Sequence, residues 1–212
     1  MRTCALVAAA DFNDEHFRAF DARGIFGTVI AVDAGLKHLE DIGREPDIVL
    51  GDFDSLGYVP DVLHVIEFPT EKDASDLELA FEAARDAGCD RVFVYGALSG
   101  RLDHTIGNLQ VSAAISDAGV SVVIVDNDCA IRFLTGPAEL ELPAQDAGIV
   151  SVFAMNDCVY GLSIDGLKYP LDHADISNRT TLGLSNEFIG SSARISVEAG
   201  TLAVFVPLAA LI

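Results

Sequence analysis

Basic residues are scarce in this sequence of 212 residues. Lysine and arginine together number 13, against 33 aspartates and glutamates, which gives a formal net charge of −20 at pH 7. A chain this acidic repels nucleic acids and anionic membranes, so we expect neither as a partner. The charge is compatible with cationic ligands or metal ions, and it also favours solubility.

Long apolar runs are missing as well. Half of the residues are hydrophobic, yet no run approaches the roughly 18–20 residues of a membrane-spanning helix. Residues 1–10 superficially resemble a short signal peptide, but acidic residues follow at once, and a first buried strand fits this segment better. The four cysteines lie far apart without the spacing of a metal site, which is typical of a reducing compartment. We therefore predict a cytoplasmic protein.

Three familiar motifs are also absent. The sequence has neither the Walker A pattern G-x-x-x-x-G-K-[ST] nor the dinucleotide fingerprint G-x-G-x-x-G, and it lacks the G-x-S-x-G of serine hydrolases. Any phosphate site in this chain must therefore be built in another way.

The first 128 residues alternate apolar runs with helical patterns. The pattern predicts βαβ units, and hence an α/β, Rossmann-like domain with a mostly parallel sheet and flanking helices. The predicted strands are 3–9, 27–33, 47–51, 63–67, 91–96 and 121–126, and the predicted helices are about 14–22, 35–42, 74–87 and 104–118.

The pattern changes after about residue 128. Only short β-like runs separated by turn signals follow, at 129–134, 149–153, 158–164, 193–198 and 201–206. This is typical of an all-β sandwich or partial barrel. We predict two domains, with an α/β catalytic domain over 1–128 and a β-sandwich domain over 129–212.

Two carboxylates follow the third predicted strand. Asp52 and Asp54 follow the apolar run 48–50, after Gly51. Side chains two residues apart point the same way in an extended segment, so both can converge at the carboxyl end of the strand, where α/β sheets bind ligands. Mg²⁺ carrying substrate phosphates would relieve their repulsion. The alternative is a polar loop in which Asp54 or Ser55 caps the next turn.

Acidic residues recur at the ends of other predicted strands. Asp33 ends the second strand, Asp76 opens the helix after the fourth, and Asp103 follows the fifth. The helix dipole explains Asp76 and helix capping explains Asp103, each taken singly. Neither effect explains why acidic residues recur at the ends of so many strands. In a parallel sheet these positions lie on one edge, which predicts an acidic site there.

The loop 96–101, with sequence Gly-Ala-Leu-Ser-Gly-Arg, follows the fifth strand. Its backbone amides can surround a phosphate, and Arg101 can bind one in a bidentate manner. Next to an acidic cluster, such a loop indicates phosphoryl or nucleotidyl transfer. His104 is either a general acid or base or, more commonly for a histidine at a helix start, a structural hydrogen-bonding group.

Five segments resemble, in order and spacing, the motifs of thiamine pyrophosphokinases. They are Asp33-Ala34-Gly35, Gly51-Asp52-Phe53-Asp54-Ser55, Lys72-Asp73-Ala74-Ser75-Asp76, Gly100-Arg101-Leu102-Asp103-His104 and Leu184-Ser185-Asn186-Glu187-Phe188. The resemblance spans about residues 30–206. It implies an α/β domain, a β-sandwich domain that contributes to the thiamine pocket and the dimer interface, and a homodimer with active sites between subunits.

The resemblance also implies an activity and a set of site residues. Such an enzyme transfers the pyrophosphoryl group of ATP to the hydroxyl of thiamine, giving thiamine diphosphate and AMP. By the same resemblance, the Mg²⁺ ligands are Asp52, Asp54 and Asp76, and the catalytic residues are Asp76, Arg101 and Asp103. The resemblance also implies that thiamine is bound by Ser185 and Asn186. The ATP-binding residues that it implies are Asp33, Gly35, Ser99, Gly100, Arg101, Asp103 and His104. Asp103 or Asp76 would accept the hydroxyl proton.

The sequence departs from the family pattern in two places. Lys37 stands where the family often has asparagine, and there is no tryptophan, so stacking on thiamine must come from phenylalanine, tyrosine or aliphatic side chains. Two alternatives are a related pyrophosphokinase acting on a pterin or other hydroxymethyl compound, and a catalytically silent sensor of nucleotides or thiamine phosphates. The Ser185-Asn186 pair favours thiamine, and the retained carboxylates favour an active enzyme.

Overall fold

A computed structural model describes residues 1–51, 64–67 and 73–211. The chain divides into two compact units. Unit 1 comprises residues 1–111 and 124–127, and unit 2 comprises residues 112–123 and 128–212. Nowhere in the described ranges is a helix long and apolar enough to cross a membrane.

Unit 1 is built on a parallel sheet with the strand order β5-β1-β2-β3-β4. The elements in chain order are β1 (Thr3–Val7), α1 (Asp14–Ala22), β2 (Thr28–Val32), α2 (Gly35–Asp41), β3 (Ile48–Gly51), β4 (Val65–Glu67), α3 (Asp76–Asp86), β5 (Arg91–Tyr95), α4 (Leu102–Asp117) and β6 (Ser121–Val125). The last two of these, α4 and β6, each have residues in both units. Every residue of β1 and β2 is buried, as expected for parallel strands covered on both faces.

Local signals explain where the helices begin. The Ser75 hydroxyl accepts a hydrogen bond from the Glu78 amide (3.3 Å) and caps α3. Helix α4 begins at Leu102 rather than at the predicted residue 104, because the Arg101 carbonyl already accepts a hydrogen bond from the Thr105 amide (3.1 Å). Asp103 therefore lies in the first turn of α4, and the alternative that it caps this helix is wrong.

Unit 2 contains two antiparallel sheets. Its elements are β7 (Cys129–Thr135), β8 (Ala138–Leu142), β9 (Ile149–Ala154), β10 (Val159–Asp165), β11 (Leu171–Ile176), β12 (Asn186–Glu187), β13 (Ala193–Val197), β14 (Thr201–Pro207) and a 3₁₀ turn (Leu208–Ala210). One sheet has the order β12-β9-β14-β7 and the other β11-β10-β13-β8. The predicted fold class, a parallel α/β domain followed by an antiparallel β domain, is confirmed.

Three strands of unit 2 were not predicted from the sequence. In β8 only Leu140 and Leu142 are buried, between exposed glutamates. In β11 only Ile176 is buried, and β12 has two residues. These strands are too polar or too short to give a continuous apolar run, so hydrophobicity does not reveal them.

Candidate functional site

The loop after β2 places Asp33 close to the end of β3. Asp33 has a positive φ of 49°, and its amide donates a hydrogen bond to the Leu50 carbonyl (2.7 Å). A Cβ atom on Gly51 would lie 3.0 Å from the Asp33 Cα, so glycine at this position permits the approach. The backbone thus fixes one predicted site carboxylate at the carboxyl edge of the sheet.

A cavity of about 500 Å³ lies at this edge of unit 1. It brings together six of the predicted site residues, namely Asp33, Asp76, Ser99, Gly100, Arg101 and His104. Gly35 and Asp103 were also predicted here, but neither lines the cavity. A Cβ atom on Gly35 would lie 2.0 Å from the Val7 carbonyl oxygen, so this glycine allows α2 to pack against β1.

The loop 96–101 is held by close backbone packing. Gly96 has a φ of 65°, and a Cβ atom there would lie 2.2 Å from the Ala8 carbonyl oxygen. Ser99 also has a positive φ, of 74°, and its hydroxyl oxygen accepts a hydrogen bond from the Asp11 amide (3.2 Å). Because this oxygen is already an acceptor, the Ser99 hydroxyl hydrogen remains available to a phosphate oxygen.

Arg101 makes a bidentate ion pair with Asp103. Its Nη2 lies 2.6 Å from Asp103 Oδ2, and its Nε donates to Oδ1 at 3.2 Å. Both side chains are exposed, by 71% and 66%. The hydrogen bond from Arg101 lowers the pKa of Asp103 to about 2 and raises the pKa of Arg101. The guanidinium is therefore pre-positioned on the cavity wall, while Asp103 is a weak base.

The carboxylates of the cavity could hold a cation. Asp33 Oδ1 is buried without a hydrogen-bond partner in the described part of the chain. Asp76, the first residue of α3, lines the same cavity. Asp52 and Asp54 fall outside the described residues. Across 1–51, 64–67 and 73–211, no group of three or more potential ligands is placed to hold a metal ion.

Lys37 does not line this cavity. Its ammonium instead lies 2.8 Å from Asp41 Oδ1, one turn along α2, and its side chain is 66% exposed. The charge that replaces the family's asparagine is thus directed along the helix surface.

Sequence reasoning missed several residues of the cavity wall. Residues 8–10 contribute to it, although residues 8 and 9 were predicted to continue the first strand. His38 donates from Nε2 to the Ala10 carbonyl (2.9 Å) and so supports the segment from α2. Asn108 also lines the cavity, and its amide donates to the Ala97 carbonyl (2.7 Å). Its position one helical turn after His104 is the only sequence signal that could have indicated it.

In unit 2 the Ser185-Asn186 pair lies at the edge strand β12. Ser185 is exposed with a positive φ of 58°, and its amide donates to the Ser151 hydroxyl (3.1 Å). Asn186 is only 4% exposed. Its Oδ1 accepts from the Tyr169 amide (2.9 Å), and its Nδ2 donates to the Tyr169 carbonyl (2.7 Å). The buried asparagine thus fixes the backbone of Tyr169, a residue that is 55% exposed.

Known proteins match both units. The thiamin pyrophosphokinase catalytic domain matches residues 26–124, and the thiamin pyrophosphokinase vitamin B1 binding domain matches residues 139–202. A thiamine pyrophosphokinase of Bacillus subtilis (strain 168) is 30% identical over 182 residues, which cover 82% of this chain and 84% of that protein.

Solved structures agree with these matches. The crystal structure of thiamine pyrophosphokinase from Bacillus subtilis superposes with a TM-score of 0.79 at 26% identity, covering 97% of this chain and 99% of that one. That of thiamin pyrophosphokinase from Geobacillus thermodenitrificans has a TM-score of 0.78 at 28% identity, covering 97% of each chain.

Proposed function

We propose that this chain, which belongs to the thiamine pyrophosphokinase family, transfers the pyrophosphoryl group of ATP to the hydroxyl of thiamine in a Mg²⁺-dependent reaction that releases AMP. The observation that carries this proposal is the cavity of unit 1, which combines two carboxylates, a glycine-rich loop and an arginine. Carboxylates for a hard cation, together with amide and guanidinium donors for phosphate oxygens, suit a bound Mg²⁺–nucleotide.

The metal would be held by Asp76 together with Asp52 and Asp54. The Asp33 oxygen, which has no partner among the described residues, and the Asp76 carboxylate line the same cavity and are the kind of oxygen ligand that Mg²⁺ prefers, so the residues present fit the ion. When bound, Mg²⁺ supplies positive charge that offsets the charge of the transferring phosphate oxygens.

The remaining steps fall to side chains of this chain. Arg101 binds phosphate oxygens through its planar guanidinium, and the Ser99 hydroxyl and the Gly100 amide orient them. Of the two carboxylates considered as proton acceptor, Asp103 is paired with Arg101 and has a pKa of about 2, and it does not line the cavity. Asp76 does line it and is better placed to accept the hydroxyl proton of thiamine.

Thiamine would bind to unit 2 near Tyr169. The backbone of this exposed residue is anchored by Asn186, and an aromatic face is a suitable surface for a cationic heterocycle. Asn186 would therefore act through Tyr169, while the exposed Ser185 could contact thiamine directly. Tyr169 would provide the stacking that a chain without tryptophan must obtain from another residue.

A second copy of the chain would cover the apolar edge of unit 2. The segment 182–190 runs beside β9, and it and β9 expose large apolar side chains, those of Ile149, Leu182, Leu184 and Ile189. We expect a two-fold symmetric dimer. Light scattering should give twice the chain mass, and Ile189→Asp should shift it towards the monomer. A monomeric parent that is fully active at nanomolar concentration would contradict the dimer.

The experiment for the proposed function follows both products. Purified protein is incubated with ATP and Mg²⁺, with and without thiamine, and AMP and thiamine diphosphate are quantified. We expect equal amounts of both, and neither when thiamine or Mg²⁺ is omitted. AMP formed equally well with a hydroxymethyl pterin, or no product under any condition, would contradict the proposal.

A further inference from the structure

A lysine beside the exposed Tyr169 ring is paired with a glutamate. The Lys168 ammonium lies 5.3 Å from the ring centroid, within the range of a cation–π contact. The same ammonium donates to both carboxylate oxygens of Glu187, at 2.9 and 3.0 Å. The hydrogen bond to Glu187 raises the pKa of Lys168, so the ammonium stays charged.

The backbone around these charges is fixed. The Lys168 amide donates to the Glu187 carbonyl (3.0 Å), and the buried Asn186 binds both the amide and the carbonyl of Tyr169. The lysine and glutamate side chains themselves are 46% and 42% exposed. Exposed ion pairs contribute little to folding, so the pair is not needed to hold the two segments together.

We infer that Glu187 selects for the positive charge of the thiamine ring system by neutralising Lys168 beside Tyr169. This inference rests on the proposed function, in which Tyr169 receives thiamine. The thiazolium ring of thiamine carries a permanent positive charge, and an uncompensated ammonium on the same aromatic ring would repel it. With Glu187 in place, the site has no net repulsion and keeps a carboxylate close to the incoming cation.

The charge of the ligand separates this role from a structural one. Thiamine binding to the full chain is measured by calorimetry, beside binding of a neutral analogue whose five-membered ring has the same shape without the charge. We expect Glu187→Gln to raise the Kd for thiamine about three- to tenfold, which is the effect of one unit charge acting over about 6 Å at a solvent-exposed site. The Kd for the neutral analogue should stay within about twofold, and added salt should reduce the difference.

Two further variants complete the design. Removing both charges, in Lys168→Gln combined with Glu187→Gln, should return the Kd for thiamine close to that of the parent. The matched control is Glu139→Gln on the edge strand β8, which removes one member of another exposed ion pair, with Arg194. This control should leave the Kd for thiamine unchanged.

Tyr169→Ala tells the two possible failures apart. If it weakens thiamine binding while Glu187→Gln matches the control, the thiamine site stands and the charge-selecting role of Glu187 is overturned. If Tyr169→Ala leaves thiamine binding at the parental level, thiamine binds elsewhere, and both the proposed site and this inference are overturned. Equal losses for thiamine and the neutral analogue in Glu187→Gln would also overturn the inference.

Discussion

The two units present their motif residues in different ways. In unit 1, Asp33, Asp76 and Arg101 come from three loops or helix starts and line one cavity. In unit 2, the most conspicuous motif residue, Asn186, is buried and directs its amide group to the backbone of Tyr169. The α/β unit therefore directs these polar groups to an open cavity, whereas the β unit uses one to fix the backbone of a residue with an exposed ring.

This difference separates two kinds of site residue. Residues of the first kind should affect chemistry and nucleotide binding with little change in folding. A residue of the second kind should affect both thiamine binding and stability, because it is part of the packed structure. The following predictions test that distinction.

The largest effect is expected from the metal ligands. Asp54→Asn, and likewise Asp52→Asn, should lower turnover on the order of 10²-fold or more, because metal-assisted charge stabilisation contributes several kcal/mol. The fold should persist, since the exchange is nearly isosteric. The control is Asp86→Asn, at the last residue of α3, which should be as active as the parent. Parental activity of Asp54→Asn at saturating Mg²⁺ would show that Asp54 is not a ligand.

Gly96 tests how strictly the cavity loop depends on backbone packing. Gly96→Ala should lower the free energy of unfolding by about 2–5 kcal/mol, because the new Cβ would meet the Ala8 carbonyl and the positive φ disfavours alanine. Gly100 has a similar φ of 69°, but no atom of the described residues lies within 4 Å of its Cβ position. Gly100→Ala should therefore cost only about 1–2 kcal/mol. Equal losses of stability in chemical denaturation would refute this account of the loop.

Arg101 distinguishes phosphate binding from loop support. Lysine keeps the charge but loses the planar fork that matches phosphate oxygens, so Arg101→Lys should lower kcat/KM for ATP about 10- to 100-fold. Thiamine binding without ATP should stay nearly unchanged. Asp103→Asn removes the partner in the ion pair but keeps the guanidinium, so it should lose less activity than Arg101→Lys and measures the contribution of positioning alone. If Arg101→Lys keeps near-parental turnover, Arg101 only supports the loop, because an exposed ion pair contributes little and lysine can replace it.

Asn186 tests the second kind of site residue. Asn186→Ala leaves the Tyr169 amide and carbonyl without their partners, which should lower the free energy of unfolding by about 1–3 kcal/mol. It should also raise the Kd for thiamine about tenfold while leaving ATP binding unchanged. Ser185→Ala, which keeps the backbone contacts, should change thiamine binding without the loss of stability. Parental stability of Asn186→Ala would contradict the anchoring role.

The smallest effect concerns His16 in α1. Its Nδ1 lies 3.0 Å from the Tyr95 hydroxyl, its Nε2 is buried with no partner among the described residues, and burial lowers its pKa below the ordinary 6.5. The unfolded chain therefore takes up this proton more readily, so stability should fall as the pH drops below about 6.5. His16→Gln should weaken this pH dependence in denaturation series, whereas the exposed His64→Gln should not. Identical profiles would refute the assignment.

Sequence patterns predicted unit 1 better than unit 2 for physical reasons. Buried parallel strands such as β1 and β2 are continuous apolar runs, and the helix start at Ser75 carries its own cap. The edge strands β11 and β12 bury few side chains and give no such signal. Side-chain chemistry indicated Asp33, Asp76 and Arg101, but the three alanines 8–10 contribute to the cavity through their position alone.

The anchoring of Tyr169 by Asn186 could not be predicted from sequence. The two residues are 17 positions apart, and only the pairing of their segments brings them together. The role of Asn186 as a support rather than a direct contact therefore depends on tertiary structure.

The proposal that unit 1 binds ATP and unit 2 binds thiamine is tested most directly by measuring the KM for ATP and the KM for thiamine in both Arg101→Lys and Asn186→Ala. We predict a reciprocal result, in which Arg101→Lys raises the KM for ATP and Asn186→Ala raises the KM for thiamine, each with little change in the other constant. If both variants raise the same KM, or if each raises the opposite one, the two units do not divide the substrates as described.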